Sequence, residues 1–216
     1  MLEEFNELEL LARKYGTDKR SNDDGQDIYH GYMDTYYRLF KDKKFETLNM
    51  LEIGVQNGCS LFAFKDFFPL ATIYGIDDFS DINCKTKIED IEGDRIKILV
   101  SDQTDEKKIN EFFGDTKLSI IIDDCSHMSN HQQLSFKFLF PRLKSQGYYI
   151  IEDLAVCYNR KFREFDDERS STLKWLELMQ NNLPFSYYID YETMSNFINQ
   201  IESITFEGEL GIIKKL

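Results

Sequence analysis

Leu48-Asn49-Met50-Leu51-Glu52-Ile53-Gly54-Val55-Gln56-Asn57-Gly58 is the stretch from which the rest of the chain is read. Residues 48–53 are mostly apolar and stop at a glycine, the mark of a strand running into a tight turn. The turn is spaced Glu-x-Gly-x-x-x-Gly, with Glu52, Gly54 and Gly58 at its fixed points. Glycine in such a place lets backbone approach a ligand closely. The dinucleotide fingerprint Gly-x-Gly-x-x-Gly sets its middle glycine against a pyrophosphate, and this turn lacks that glycine.

Outward from the turn, the same alternation of short β-rich runs and helical stretches repeats. Residues 71–76 (ATIYGI), 96–100 (IKILV), 118–122 (LSIII) and 147–151 (GYYII) read as four further strands. Helical segments are expected near 61–68, 104–113 and 130–145. Apolar strands separated by helices predict an α/β fold, a Rossmann-like parallel sheet with helices on both faces. At the end of the chain, 201–206 (IESITF) and 210–215 (LGIIKK) flank Glu207-Gly208-Glu209 and predict an antiparallel hairpin. Before the sheet, Leu2, Phe5, Leu8, Leu10 and Leu11 form one face of an expected helix.

Composition sets outer bounds. The 216 residues carry 39 Asp+Glu against 26 Lys+Arg, a formal charge of −13. That balance argues against binding a nucleic-acid backbone or docking on an anionic membrane, both of which call for basic patches. No apolar run approaches the roughly 20 residues of a membrane helix. The acidic N-terminus does not read as a signal peptide. Cys59, Cys84, Cys125 and Cys157 are scattered without a Cys-x-x-Cys pair, which suits reduced thiols and a cytoplasmic protein.

Every expected parallel strand ends in a carboxylate. In open α/β sheets the ligand crevice lies beyond those ends, and here they bear Glu52, Asp77, Asp102, Asp124 and Glu152-Asp153. Asp is also a common turn and N-cap residue, so each one alone has a plain structural explanation. Five in succession outline a crevice rimmed with acceptors, suited to a hydroxyl-rich, cationic or metal-bound ligand. Asp77 stands 23 residues beyond Gly54, where a carboxylate can accept both hydroxyls of a ribose. These features resemble the class I S-adenosylmethionine-dependent methyltransferases. The resemblance implies that Gly54 and Gly58 border the methionine part of S-adenosyl-L-methionine, with Glu52 before them. It implies Asp77 on the ribose and Asp102-Gln103 beside the adenine, with Asp123 also in the cofactor set.

A second constellation follows the fourth strand. Asp123-Asp124-Cys125-Ser126-His127 leads into a helix, and Glu152-Asp153 closes the neighbouring strand. Adjacent strands lie about 5 Å apart, so these carboxylates can converge. Side chains alternate along a strand, so Asp123 and Asp124 share a direction only if the strand ends between them. Carboxylate oxygens without sulfur define a hard site for Mg²⁺, Mn²⁺ or Ca²⁺. An unperturbed imidazole, with pKa about 6.5, accepts protons near neutral pH; His127 is either that base or a surface histidine at a helix start.

These motifs resemble the metal-dependent sugar O-methyltransferases that act on macrolides of the mycinamicin and macrocin type. The family's Asp-Asp-Gly-Ser-His is matched at residues 123–127, and its Glu-Asp pair stands 28 and 29 residues beyond Asp124. Tyr15-Gly16-Thr17-Asp18-Lys19 and His30-Gly31-Tyr32 resemble its leader. The resemblance implies Asp124, Glu152 and Asp153 as metal ligands (Mg²⁺ or Mn²⁺) and His127 as catalytic base. It also implies a small-molecule acceptor, a sugar or nucleotide-linked metabolite; the acidic balance speaks against nucleic acid and membrane as partners, and a homo-oligomer is left open. Cys125 departs from the motif glycine, a change of loop path if that position needs positive φ. Ala155-Val156-Cys157-Tyr158 departs from the family's next segment, which borders the acceptor.

The expected organisation is a single domain: a leader or lid at 1–45, a cofactor and metal core at 46–153, an insert at 154–200 and the hairpin at 201–216. Asp23-Asp24 is read as a solvated loop. Trp175 and the Tyr187-Tyr188 pair are read as packing residues, and Thr17, Lys19 and Tyr32 as further candidates to touch cofactor or acceptor. Two other functions fit the same sheet: an NAD-dependent oxidoreductase or epimerase, and a non-catalytic binding module.

Overall fold

The computed structural model describes residues 5–22, 30–81, 84–158 and 170–216. The strands β1 (Asn49–Ile53), β2 (Thr72–Asp77), β3 (Ile96–Val100), β4 (Leu118–Asp123) and β5 (Leu143–Ile151) run parallel. The strands β6 (Ile201–Glu207) and β7 (Leu210–Lys215) form the terminal hairpin, with β7 antiparallel to β5. Their spatial order is β3-β2-β1-β4-β5-β7-β6. After β3 the chain crosses back over β1, so β1 and β4 make the switch point where a crevice opens beyond the strand ends. The expected fold class is the observed one.

The helices are α1 (Glu7–Tyr15), α2 (Met33–Phe40), α3 (Cys59–Phe67), α4 (Ile88–Ile91), α5 (Glu106–Phe113), α6 (Ser129–Leu139), α7 (Thr172–Gln180) and α8 (Tyr191–Ile198). Alternation along the strands feeds two separate cores. Met50, Ile73, Ile120, Ile122 and Ile150 face one side and pack with Leu8, Tyr36, Phe40, Phe64 and Phe67 from α1, α2 and α3. Leu51, Ile53, Ile121, Tyr149 and Ile151 face the other, against Phe113, Phe136, Trp175, Leu176 and Phe197. Phe136 meets Tyr149, Trp175 and Phe197 in edge-on contacts at 5.0, 5.1 and 5.6 Å, a favoured aromatic arrangement.

Three expectations need correction. The helix expected over 130–145 ends at Leu139, because Pro141 enters a 3₁₀ turn and β5 begins at Leu143. On α1 only Leu8 and Ala12 of the apolar residues are buried; Phe5 and Leu10 stay exposed. Trp175 packs as expected, but Tyr187 is exposed against Phe185. Leu2, the Asp23-Asp24 loop and the Cys157 side chain lie outside the described residues.

Candidate active site

The first turn has little freedom of sequence. Gly54 N–H donates to the Ile76 carbonyl at 2.8 Å, and Asp124 N–H donates to the Ile53 carbonyl at 2.9 Å. The exit of β4 therefore crosses directly over Gly54. With φ at +93°, a Cβ at Gly54 would stand 2.0 Å from the Asp124 carbonyl oxygen, so no other residue fits there. In the next loop the left-handed residue is His127, at φ 55°, and Cys125 is not left-handed. Cys125 thus replaces the motif glycine without needing the backbone that only glycine takes easily.

Above the turn lies a cavity of about 660 Å³. Its wall includes Gly54, Asp77, Asp102, Gln103, Asp124, His127, Glu152 and Asp153, which the sequence had already singled out. Glu52, Gly58 and Asp123 do not line it; they brace the wall from behind. Glu52 accepts a hydrogen bond from Ser60 Oγ at 2.5 Å. Burial pushes its carboxyl up to about 7, against the opposing pull of Lys19. Gly58 begins α3 at φ +75°. Asp123 is fully buried beside Gln103 Nε2 (3.3 Å) and Tyr149 Oη (3.4 Å). Burial, then the charge of Asp124, pushes Asp123 up to about 7. β4 ends at Asp123, which is why its neighbour turns into the cavity instead.

Asp77 anchors the turn. Its Oδ2 accepts from Val55 N–H at 2.7 Å and Gln56 N–H at 2.8 Å, and its Oδ1 accepts from Phe79 N–H at 2.6 Å. A carboxylate held by three amides presents its remaining lone pairs in a fixed direction. Asp102 accepts from the Thr104 hydroxyl at 2.6 Å and amide at 2.7 Å, bonds that hold it below the usual carboxylate range. Gln103 spans the layers, donating to Ser135 Oγ at 2.9 Å and accepting from Ser126 N–H at 3.2 Å. Ser101 is buried on the same wall, and its hydroxyl has no hydrogen-bond partner among the described residues.

Beside this half lies the carboxylate cluster. Asp124, His127 and Asp153 each bring one donor atom within 4.8 Å of the others. His127 Nε2 is 3.6 Å from Asp153 Oδ2. Glu152 sits deeper, with Tyr36 Oη donating to Oε1 at 2.5 Å and Lys19 Nζ donating to Oε2 at 2.7 Å. Burial, then the charge of Asp124, raises the Glu152 carboxyl well above its ordinary range, and Lys19 opposes this. Lys19 also pairs with Asp124. From the leader, Tyr32 Oη donates to Asp153 Oδ1 at 2.5 Å, and His30 Nδ1 lies 3.3 Å from the same oxygen. The donor set is oxygen-rich and acidic beyond what one lysine neutralises, so it fits a hard divalent cation. Tyr36 is the member that motif reading missed. Its signal was spacing, since Tyr32, Tyr36 and Phe40 recur every four residues, and Tyr36 stacks on Phe40 at 5.7 Å.

No family model matches the chain. Among curated proteins it is 34% identical over 185 residues to the demethylmacrocin O-methyltransferase of Streptomyces fradiae, covering 81% of this chain and 43% of that protein. It is 33% identical over 162 residues to the mycinamicin VI 2''-O-methyltransferase of Micromonospora griseorubida, covering 70% and 37%. A similar match, 30% identical over 162 residues, is to a rhamnosyl-tetracenomycin-C 3'-O-methyltransferase of Streptomyces olivaceus. The chain thus spans between 37% and 46% of the length of the curated relatives it matches. Among solved structures, the MycE methyltransferase of the mycinamycin pathway, in complex with Mg, SAH and mycinamycin VI, superposes with a TM-score of 0.78. That match is 25% identical and covers 97% of this chain and 54% of the other. In sequence and in architecture the chain is a homologue of natural-product sugar O-methyltransferases, built on the class I methyltransferase fold.

Proposed function

We propose that the protein transfers a methyl group from S-adenosyl-L-methionine to a hydroxyl of a sugar or sugar-bearing small molecule, assisted by Mg²⁺ or Mn²⁺. The observation that carries this reading is one cavity with two chemically distinct halves. The glycine turn, Asp77 and Asp102 form the first; Asp124, His127 and Asp153 form the second. The named relatives act on sugars of natural products, which supports a sugar acceptor here and disfavours the NAD-dependent alternative.

In this reading, Gly54 lets the methyl donor lie against the backbone, and Asp77 receives the ribose hydroxyls. Asp124, Glu152 and Asp153 are the residues that would hold the cation. A bound divalent ion supplies Lewis acidity toward an acceptor hydroxyl. His127 takes the hydroxyl proton, and Asp153 beside its Nε2 steadies the imidazole as it charges. In-line displacement then depends on holding donor and acceptor in register. We also read residues 1–45, 46–153, 154–200 and 201–216 as leader, core, insert and hairpin of one catalytic unit. Cys59, Cys84 and Cys125 are free, in keeping with a reducing, cytoplasmic setting. No helix among the described residues is long and apolar enough to cross a membrane.

The test is methyl transfer from S-adenosylmethionine to mycinamicin VI and to rhamnosyl tetracenomycins, with and without EDTA. Activity is expected to vanish on chelation, to return with Mg²⁺ and to be lost in Asp124→Ala. Activity that survives both treatments would overturn the metal's role.

A further inference from the structure

The carboxylates of the second half already hold a cation, the ammonium of Lys19, and proton removal by His127 makes no use of it. Lys19 Nζ donates to Glu152 Oε2 at 2.7 Å, pairs with Asp124 Oδ2 and lies 3.7 Å from Glu52 Oε1. Its side chain is 3% exposed. An ammonium removed from water so completely is tolerated only against compensating charge, and three carboxylates of the sheet edge provide it. Lys19 itself belongs to no strand. It is delivered by the leader, whose turn is tied by Tyr32 and Met33 N–H donating to the Lys19 carbonyl at 2.9 and 3.3 Å. Two of the three carboxylates it engages, Asp124 and Glu152, are among the residues assigned above to the divalent cation.

We propose that Lys19 is an internal placeholder for that cation. Its ammonium satisfies Asp124 and Glu152 in the metal-free protein and yields their oxygens when the metal loads. Metal binding is then an exchange of one cation for another, and the leader that carries Lys19 is linked to the metal state of the site. This rests on the metal-assisted reading above. Charges a few ångströms apart interact by more than a tenfold change in affinity even at an effective dielectric of about 20. Removing the ammonium should therefore tighten metal binding, whereas removing a residue that merely braces the ligands should weaken it.

The experiment is titration calorimetry of the metal-free full chain with MnCl₂. Lys19→Met is expected to bind Mn²⁺ at least about tenfold more tightly than the wild type. Equal or weaker binding overturns the placeholder. Lys19→Met leaves buried carboxylates unpaired and can fail to fold, so a second measurement uses the wild type alone. Labelling of Lys19 by acetic anhydride, read by mass spectrometry, is expected to be suppressed without metal and to increase at saturating Mn²⁺. Equal labelling in the two states overturns the proposal. A wild type that binds no Mn²⁺ overturns the metal reading itself, an outcome distinct from Mn²⁺ binding that Lys19→Met leaves unchanged.

Discussion

Gly54 and His127 show how single positions carry the site. A methyl group at Gly54 would press on the Asp124 carbonyl at 2.0 Å from a backbone with φ at +93°. Gly54→Ala should therefore cost about 3 kcal/mol in urea denaturation, through strain and overpacking together. It should also weaken S-adenosylhomocysteine binding, because relieving that clash shifts the Gly54 turn, which lines the donor half of the cavity. His127→Ala should leave that binding within a few-fold and lower kcat by about 10²–10⁴, the usual range for a lost general base. Equal losses in both quantities would mean that His127 shapes the cavity instead. Residue chemistry was legible where it followed spacing: the alternation rule already separated Asp123 from Asp124, and the structure buries the first and exposes the second to the cavity. Lys19 and Tyr36 were less legible. Their contacts with Glu152, 133 and 116 positions away in the chain, are made only when the leader docks on the sheet edge.

At the scale of elements, α6 joins the site to the insert. Its first turn follows His127, while its other side is tied to residues 170–186 by polar contacts. Thr172 Oγ1 donates to Gln132 Oε1 at 2.6 Å, and Gln133 Nε2 donates to the Ser170 carbonyl at 3.0 Å. Ser186 Oγ donates to Gln133 Oε1 at 2.7 Å. Thr172→Val keeps the shape but leaves Gln132 Oε1 without this donor, so unfolding in urea should show a loss of about 1–3 kcal/mol. Phe136→Ala, on the core face of the same helix, should cost about 3–5 kcal/mol through the cavity it leaves among Tyr149, Trp175 and Phe197. The five parallel strands and the hairpin were readable because each is a short apolar run closed by a turn residue. The end of α6 was misread although Pro141 marks it, since the apolar pattern runs on through residue 140; the start of β5 at Leu143 is set by tertiary pairing. The partition of the insert was hidden for the same reason: Trp175 and Tyr187 are both aromatic, and only packing decides that one is buried and the other exposed.

Across the whole molecule, the formal charge of −13 acquires a location. Carboxylates gather along one edge of the sheet because every parallel strand ends there, and the buried Lys19 answers part of their charge. A protein arranged this way gains stability from whatever fills that edge. S-adenosylhomocysteine at about 100 times its Kd should raise stability by about 2.7 kcal/mol, seen as a rise in Tm of roughly 5–10 °C for a chain of this size. The parallel sheet was legible from the alternation of elements, and Gly54 and Asp77, which the sequence singled out, line the cavity. The acceptor side was not, because residues 155–158 and the segment after them carry no motif that names an acceptor. In the proposed reaction the cavity beside Gly54 and Asp77 receives the methyl donor. Isothermal titration of the full chain with S-adenosylhomocysteine, and separately with NAD, tests it most directly. Saturable binding of S-adenosylhomocysteine at one site per chain, abolished in Asp77→Ala and absent for NAD, is the result expected. Binding of NAD with no response to S-adenosylhomocysteine would contradict it.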